Sequence, residues 1–265
     1  MAKILGISTS SGTTSAAVAE DRVLLSESVS AIENRQAEYL ALAVRSALDL
    51  AGCTVADIEA VAVDVGPGTY TGLRAGIAAA KAFCLVRDLP LIPVPSLWAL
   101  HTEASACLGE ALVVVTDARR KEVFWQLFPP RPIDLASALQ AALNGGPAIP
   151  DDLQRALGID VARPEQVAEE LSKSATEEGA VVLVGEGATR YADVFAAILG
   201  NGVRVVSGHS VPRASSVCAL AQQLVDANPA LAGDPDRVGA VYLRKPDVTA
   251  PKRRHDSVIP AGVLV

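Results

Sequence analysis

Aromatic residues are scarce in this chain: four Phe, four Tyr and two Trp make up 4% of 265 residues. Ala and Val therefore carry most of the apolar content, and side chains this small imply closely packed helices. Cysteine is equally rare. Cys53, Cys84, Cys107 and Cys218 lie far apart with no Cys-x-x-Cys pair, which reads as reduced, mostly structural thiols of a cytoplasmic protein. His101, His209 and His255 are as scattered and form no HxxxH or HExxH, so a His-based metal site is not expected. No stretch approaches about 18 uninterrupted apolar residues, which argues against a membrane span. The chain enters a strand directly after Lys3, so no secretory leader is expected. Positive charge is also in deficit. Against 30 acidic residues stand 23 basic ones, a net charge of −7, which argues against a stand-alone nucleic-acid binder while leaving room for a local basic patch.

What is present reads as globular: 50% of residues are hydrophobic and 20% charged. At about 150 residues per domain, the length fits one large domain or two small lobes. Three short strands, 3–9, 15–20 and 23–29, are joined by tight turns. A helix over 33–51 follows, with Ala37, Leu40, Ala41, Val44, Leu48 and Ala51 as its apolar stripe. Then come a strand over 58–65, a Gly-Pro-Gly break, a helix over 70–86, a strand over 91–94 and a helix from Ser96 to Cys107. The order βββαβαβα predicts a mixed sheet covered by helices, the pattern of a ribonuclease-H-like lobe.

The pattern then restarts. Residues 112–118 echo the first strand, and 121–128 follow a polar turn as 15–20 did. Residues 131–180 are rich in Pro, Gly and Ala, with short helical patterns at 136–143 and 164–174. Strands at 181–184 and 203–206 flank a helix over 191–199, and a last helix covers 214–227. The expected division is a first lobe over 1–108, a reduced second lobe over 109–210 and a flexible tail over 246–265. Helix 214–227 is a candidate to return and pack on the first lobe.

Three segments are candidates for function. Val65-Gly66-Pro67-Gly68-Thr69-Tyr70-Thr71-Gly72-Leu73-Arg74 places glycines between a strand and a helix, where backbone N–H groups can approach an anion. It is neither a Walker A loop nor GxGxxG, and the plainer reading is a tight turn capped by Thr69 or Thr71. Ser8 to Thr14 offers hydroxyls, making Ser8, Thr9, Gly66 and Gly68 weak phosphate-loop candidates; a solvated turn is the plainer reading. Asp117-Ala118-Arg119-Arg120-Lys121-Glu122 sits at the matching place in the second half, its three cations suited to a phosphate, an acidic partner or simply solvent. Asp64 and Asp117 end strands with no partner assignable from spacing. The helix after the glycines is apolar on both sides. Leu73, Gly76, Ile77, Ala80 and Cys84 form one face, and the opposite face holds Ala75, Ala78, Ala79, Ala82, Leu85 and Val86. Such a helix is buried on both sides, within its own chain or against a subunit.

Taken together, Ile4 to Ser10, Gly66 to Arg74, Asp117 to Trp125 and Val241-Tyr242-Leu243-Arg244 resemble the TsaB (YeaZ) family over nearly the whole chain. The resemblance implies an actin-like ATPase (ASKHA) fold of two ribonuclease-H-like lobes, the second degenerate. It also implies a part in making N6-threonylcarbamoyladenosine at position 37 of tRNAs that read ANN codons. In that family the protein is not the transferase. It pairs through first-lobe helices with TsaD, which carries the metal, and an ATPase subunit, TsaE, joins them.

This sequence departs from the family at Ser8, usually Asp, and at Gln36, often His. Both departures weaken the case for nucleotide or metal chemistry. The expectation is a non-catalytic scaffold without cofactor or metal that meets tRNA only through the complex, and that forms a homodimer at most when isolated. Its partner interface would comprise Tyr39, Leu42, Ala75, Ala78, Ala79 and Ala82. The rival readings are a stand-alone ASKHA-fold ATPase or phosphotransferase, which needs carboxylates to hold Mg²⁺, and a self-associating structural protein.

Overall fold

The computed structural model describes residues 3–31, 35–108, 112–128, 158–174 and 181–243. The expected helix over 136–143 and the tail over 246–265 lie outside the described residues. The first half forms β1 (Lys3–Ser8), β2 (Thr14–Glu20), β3 (Val23–Ser30), α1 (Gln36–Leu50), β4 (Ala60–Gly66), α2 (Tyr70–Arg87), β5 (Leu91–Pro95) and α3 (Ser96–Leu108). The second forms β6 (Leu112–Asp117), β7 (Val123–Phe128), β8 (Asp160–Ala162), α4 (Pro164–Ser174), β9 (Val181–Val184), α5 (Glu186–Arg190), α6 (Ala192–Leu199), β10 (Val203–Val206) and α7 (Ala214–Ala227).

The two sheets have orders β3-β2-β1-β4-β5 and β10-β9-β6-β7-β8. Read from its other edge, the second is the first again. β1 pairs antiparallel with β2 and parallel with β4, as β6 pairs with β7 and β9. The outer pairings match too: β2 with β3 as β7 with β8, and β4 with β5 as β9 with β10. The weak sequence echo is thus one half of a full structural repeat. The second copy is reduced in strand length, with β8, β9 and β10 spanning three, four and four residues.

Each repeat ends in a helix that reaches the other lobe, α3 while still contacting β4 and β5 of its own sheet. α7 packs on β1, β2 and β4 of the first sheet, while α3 packs on β6 and β7 of the second as well as on α7. One hydrophobic core consequently runs through both lobes, joining Ile4, Ala62 and Ile92 to Leu97, Leu112, Val184 and Val217. Polar contacts pin the start of α7 to the first lobe. The Ala214 N–H donates to Ser15 Oγ at 2.9 Å, and the Ser215 N–H donates to Glu27 Oε1 at 2.9 Å. These bonds satisfy two of the amides that a helix start leaves unpaired.

α1 differs from its expected face. Its buried residues are Gln36, Leu40, Ala43, Val44, Ala47 and Leu48, while Ala37 and Ala41 are exposed. The face turns because Gln36 lies inside, its amide donating to the Ser11 carbonyl at 3.2 Å. β8 and α5 are the described elements the pattern did not announce. At three and five residues they are too short for a periodic signal.

Candidate functional site

The loop after β1 is closed from inside. Ser8, Thr9, Ser10 and Ser11 are all buried, and Asp64, near the end of β4, is fully enclosed among them. Ser8 Oγ donates to Asp64 Oδ2 at 2.8 Å, and Ser10 Oγ donates to the same oxygen. Ser96 Oγ, opening α3, and the Gly66 N–H at 3.0 Å donate to Oδ1. Burial pushes the Asp64 carboxyl above the ordinary carboxylate range, against the four hydrogen bonds that draw it down. The partners of Asp64, which spacing left unassigned, are these four donors. Spacing could not show it, because the donors come from three separate segments.

The glycines of Gly66 to Gly76 serve this closure. A side chain at Gly72 would place its Cβ 2.0 Å from the Thr9 carbonyl oxygen, and one at Gly68 would place it 2.3 Å from that of Ser10. Thr9 Oγ1 donates to the Gly72 carbonyl at 2.8 Å, and the Thr69 N–H donates to the Ser10 carbonyl at 2.7 Å. The two loops are therefore locked backbone to backbone. The phosphate-loop candidates Ser8, Thr9, Gly66 and Gly68 are brought together, but around Asp64 and one another. Neither Thr69 nor Thr71 caps α2 through its side chain, since no side-chain cap bond forms at Thr69 and Thr71 lies inside the helix.

α2 buries Gly72, Leu73, Gly76, Ile77, Ala80 and Cys84, the face its spacing predicts. On the outer face Ala78 and Ala82 are exposed, Ala75 is half-buried, and Leu85 and Val86 stand 70% and 82% exposed. Ala79 is turned partly inward and packs against the first-lobe core. On α1, which contacts α2, Leu42 is exposed and Tyr39 half-buried, the latter beneath the Arg35 guanidinium at 5.2 Å. The sequence reading places Leu85 and Val86 on this face as well, though outside the six-residue partner interface it expects.

The second-lobe loop is open. Arg119, Arg120 and Lys121 are exposed, and Asp117 beneath them holds Arg190 at 2.9 Å and the Arg119 N–H at 2.9 Å. Among the described residues no group of three or more His, Cys, Asp or Glu is placed to hold a metal ion. No described helix is long and apolar enough to cross a membrane.

Two matching βββαβα repeats with exchanged terminal helices define an actin-like protein of two ribonuclease-H-like lobes. Its conspicuous exposed feature is a first-lobe helical face. The family model described as TsaD: tRNA N6-adenosine threonylcarbamoyltransferase matches residues 30–237, and the chain belongs to that family. An uncharacterized protein of Mycobacterium tuberculosis is 38% identical over 150 residues, 55% of this chain and 69% of the relative. The tRNA threonylcarbamoyladenosine biosynthesis protein TsaB of Escherichia coli is 37% identical over 83 residues, 31% of this chain and 36% of that protein. Among solved structures, YeaZ from Pseudomonas aeruginosa shares the fold at a TM-score of 0.63 and 21% identity, covering 92% of this chain and all of that one. A second Pseudomonas aeruginosa protein, described as similar to peptidase YEAZ, matches at a TM-score of 0.70 and 23% identity with 92% coverage of this chain. The resemblance read from the sequence motifs and these findings agree.

Proposed function

We propose that this chain acts in tRNA threonylcarbamoyladenosine formation as a non-catalytic subunit that docks on, and activates, the threonylcarbamoyltransferase. Family membership supports the place in tRNA modification, and the name of the Escherichia coli relative points the same way. The observation that carries the subunit role is the outer face of α2. Ala78, Ala82, Leu85 and Val86 turn apolar surface to solvent on a rigid element whose other face is already committed to the core. Small alanines let a partner helix approach closely, and the two larger residues supply burial at its end. The closed Ser8–Asp64 loop favours this reading over a stand-alone ATPase, because its hydroxyls are spent on an internal carboxylate. In the proposed assembly the partners are a TsaD-like transferase and a TsaE-like ATPase, in the cytoplasm, with tRNA bound through the complex.

Replacing Ala82 with Glu tests the docking face. An unpaired charge at the contact costs about 2–5 kcal/mol, which weakens association roughly thirty-fold to a few thousand-fold. The expected result is an unchanged melting temperature of the variant alone and loss of co-purification with the transferase. Retained co-purification sinks the docking face. Turnover of ATP or threonylcarbamoyl-adenylate by the isolated wild-type chain sinks the non-catalytic role.

A further inference from the structure

We propose that Arg74 and Lys81, seated with Tyr70 along one side of α2, form a cationic rim that receives carboxylates from the docking surface of the transferase. The proposal deepens the functional reading above and rests on it for the choice of partner. Tyr70, Arg74, Ala78, Lys81 and Leu85 follow one another at spacings of four, four, three and four residues, so they share one side of the helix. Arg74 is exposed and Lys81 half-buried, and both border the exposed apolar surface of Ala78 and Leu85. From Tyr70 to Arg87 the helix contains no Asp or Glu, in a chain whose net charge is −7.

The other cations of α1 and α2 are engaged within the chain. Arg35 meets Glu38, Arg45 faces Asp49 at 3.8 Å, and Arg87 donates to the Ala56 carbonyl at 2.9 Å. Among the described residues no carboxylate faces Arg74 or Lys81. Arg74 instead lies over the Tyr70 ring, its guanidinium carbon 4.4 Å from the centroid. Tyr70 in turn rests against Tyr242, with centroids 5.2 Å apart. The residue before Tyr242 is fixed to the sheet, since the Val241 N–H donates to the Val65 carbonyl at 2.7 Å. A guanidinium laid on an anchored ring keeps its N–H edge for a carboxylate and loses less freedom on binding than a mobile one.

Charge selects the occupant. Apolar surface alone accepts many partners, whereas uncompensated cations at its border favour a surface whose apolar centre is flanked by Asp or Glu. A second copy of this chain fits less well. The exposed acids of its α1, Glu38 and Asp49, already face Arg35 and Arg45. An antiparallel pairing of two α2 helices that brings Asp88 of one copy to Arg74 of the other is centred on residue 81, and it sets the two Lys81 side chains against each other. The transferase is thus expected to carry, around the surface that covers Ala78 and Leu85, carboxylates placed for Arg74 and Lys81.

The test removes the charges and keeps the shape. The double variant Arg74→Gln, Lys81→Gln is passed over the immobilised transferase, and association and dissociation rates are measured by surface plasmon resonance from about 50 to about 300 mM salt. Wild-type association slows as salt rises. The double variant associates roughly tenfold more slowly at the low-salt end, with a flatter salt dependence and an unchanged melting temperature. Arg74→Lys alone restores the association rate and leaves the complex shorter-lived than wild type, because an ammonium lacks the stacked fork. A wild-type lifetime for Arg74→Lys overturns the part given to the Tyr70 stack. Wild-type salt dependence in the double variant overturns the proposal. So does a lowered melting temperature, which assigns the cations to the fold. A defect confined to self-association of the isolated chain, or to tRNA binding by the complex, also overturns it, assigning the rim to a second copy or to phosphate. Ala82→Glu separates the two readings. If it abolishes transferase binding while the double variant keeps wild-type rates, the carboxylate rim alone falls. If it leaves binding intact, the docking face falls and the rim with it.

Discussion

The loops after β1 and β6 occupy the same place in two copies of one topology, and their chemistry is opposite. The first is neutral, buried and wound around Asp64. The second is cationic, exposed and strained. The difference comes from the neighbouring parallel strand. β4 carries Asp64 two residues before its end, and the carboxylate supplies acceptors for three serines. The matching strand β9 is followed by Gly185, where an added Cβ would lie 2.2 Å from the Val115 carbonyl oxygen. Glu186 follows it and opens α5, its N–H donating to the Ser210 carbonyl at 2.7 Å. A shared fold fixes where a loop stands. The first loop closes on Asp64 of the adjacent strand, whereas the second stays open above Asp117 of its own hairpin.

The sharpest way to break this comparison is to remove the two acids in turn. Asp64→Ala leaves Ser8, Ser10, Ser96 and the Gly66 N–H without their acceptor in a buried site, and is expected to destabilise the protein by about 3–5 kcal/mol. Asp117→Ala frees groups that reach water and is expected to cost about 1 kcal/mol or less. Urea unfolding of both variants measures the gap, and equal losses would refute the contrast. Next in size, Gly72→Ala is expected to lose about 2–4 kcal/mol from overpacking against Thr9, although alanine normally favours a helix. Gly202→Ala, with nothing within 4 Å of its added Cβ, is expected to stay within about 0.5 kcal/mol of wild type.

A pH-dependent effect concerns the seam between the lobes. His101 on α3 stacks on Phe128 of β7 with centroids 4.1 Å apart, and burial lowers its imidazole pKa to about 4. Between that value and about 6.5 the unfolded chain binds more protons than the folded one, so stability falls as pH drops through this window. With partial exposure screening the effect, lowering the pH from 7 to 5 is expected to remove about 1 kcal/mol through this group. Denaturation of His101→Gln at both pH values checks it: the variant should lose less stability on acidification than wild type.

Much of the architecture was legible because it is periodic. The spacing of Leu73, Gly76, Ile77, Ala80 and Cys84 gave the buried face of α2, and the β-branched runs at 61–65 and 181–184 gave buried strands. Helix 164–174 and helix 214–227 have the bounds their patterns predict. The repeat was only half visible, since β8 is three residues long and carries no alternation worth reading. For the site, the sequence offered the glycines and hydroxyls as phosphate ligands with a solvated turn as the plainer alternative. The structure overturns the solvated turn, because Ser8 to Ser11 are buried and turn inward on Asp64.

By itself the sequence determined the order of elements, the burial of one face of α2 and the family, since each is written in local spacing or in contiguous motifs. The tertiary structure decided what those motifs touch. Ser8, Ser10, Asp64 and Ser96 meet from positions 8 to 96, and Asp117 meets Arg190 across 73 residues. Such partnerships depend on strand order and helix exchange. A hydrogen bond forms only between groups brought within about 3 Å, and no pattern along the chain encodes that distance.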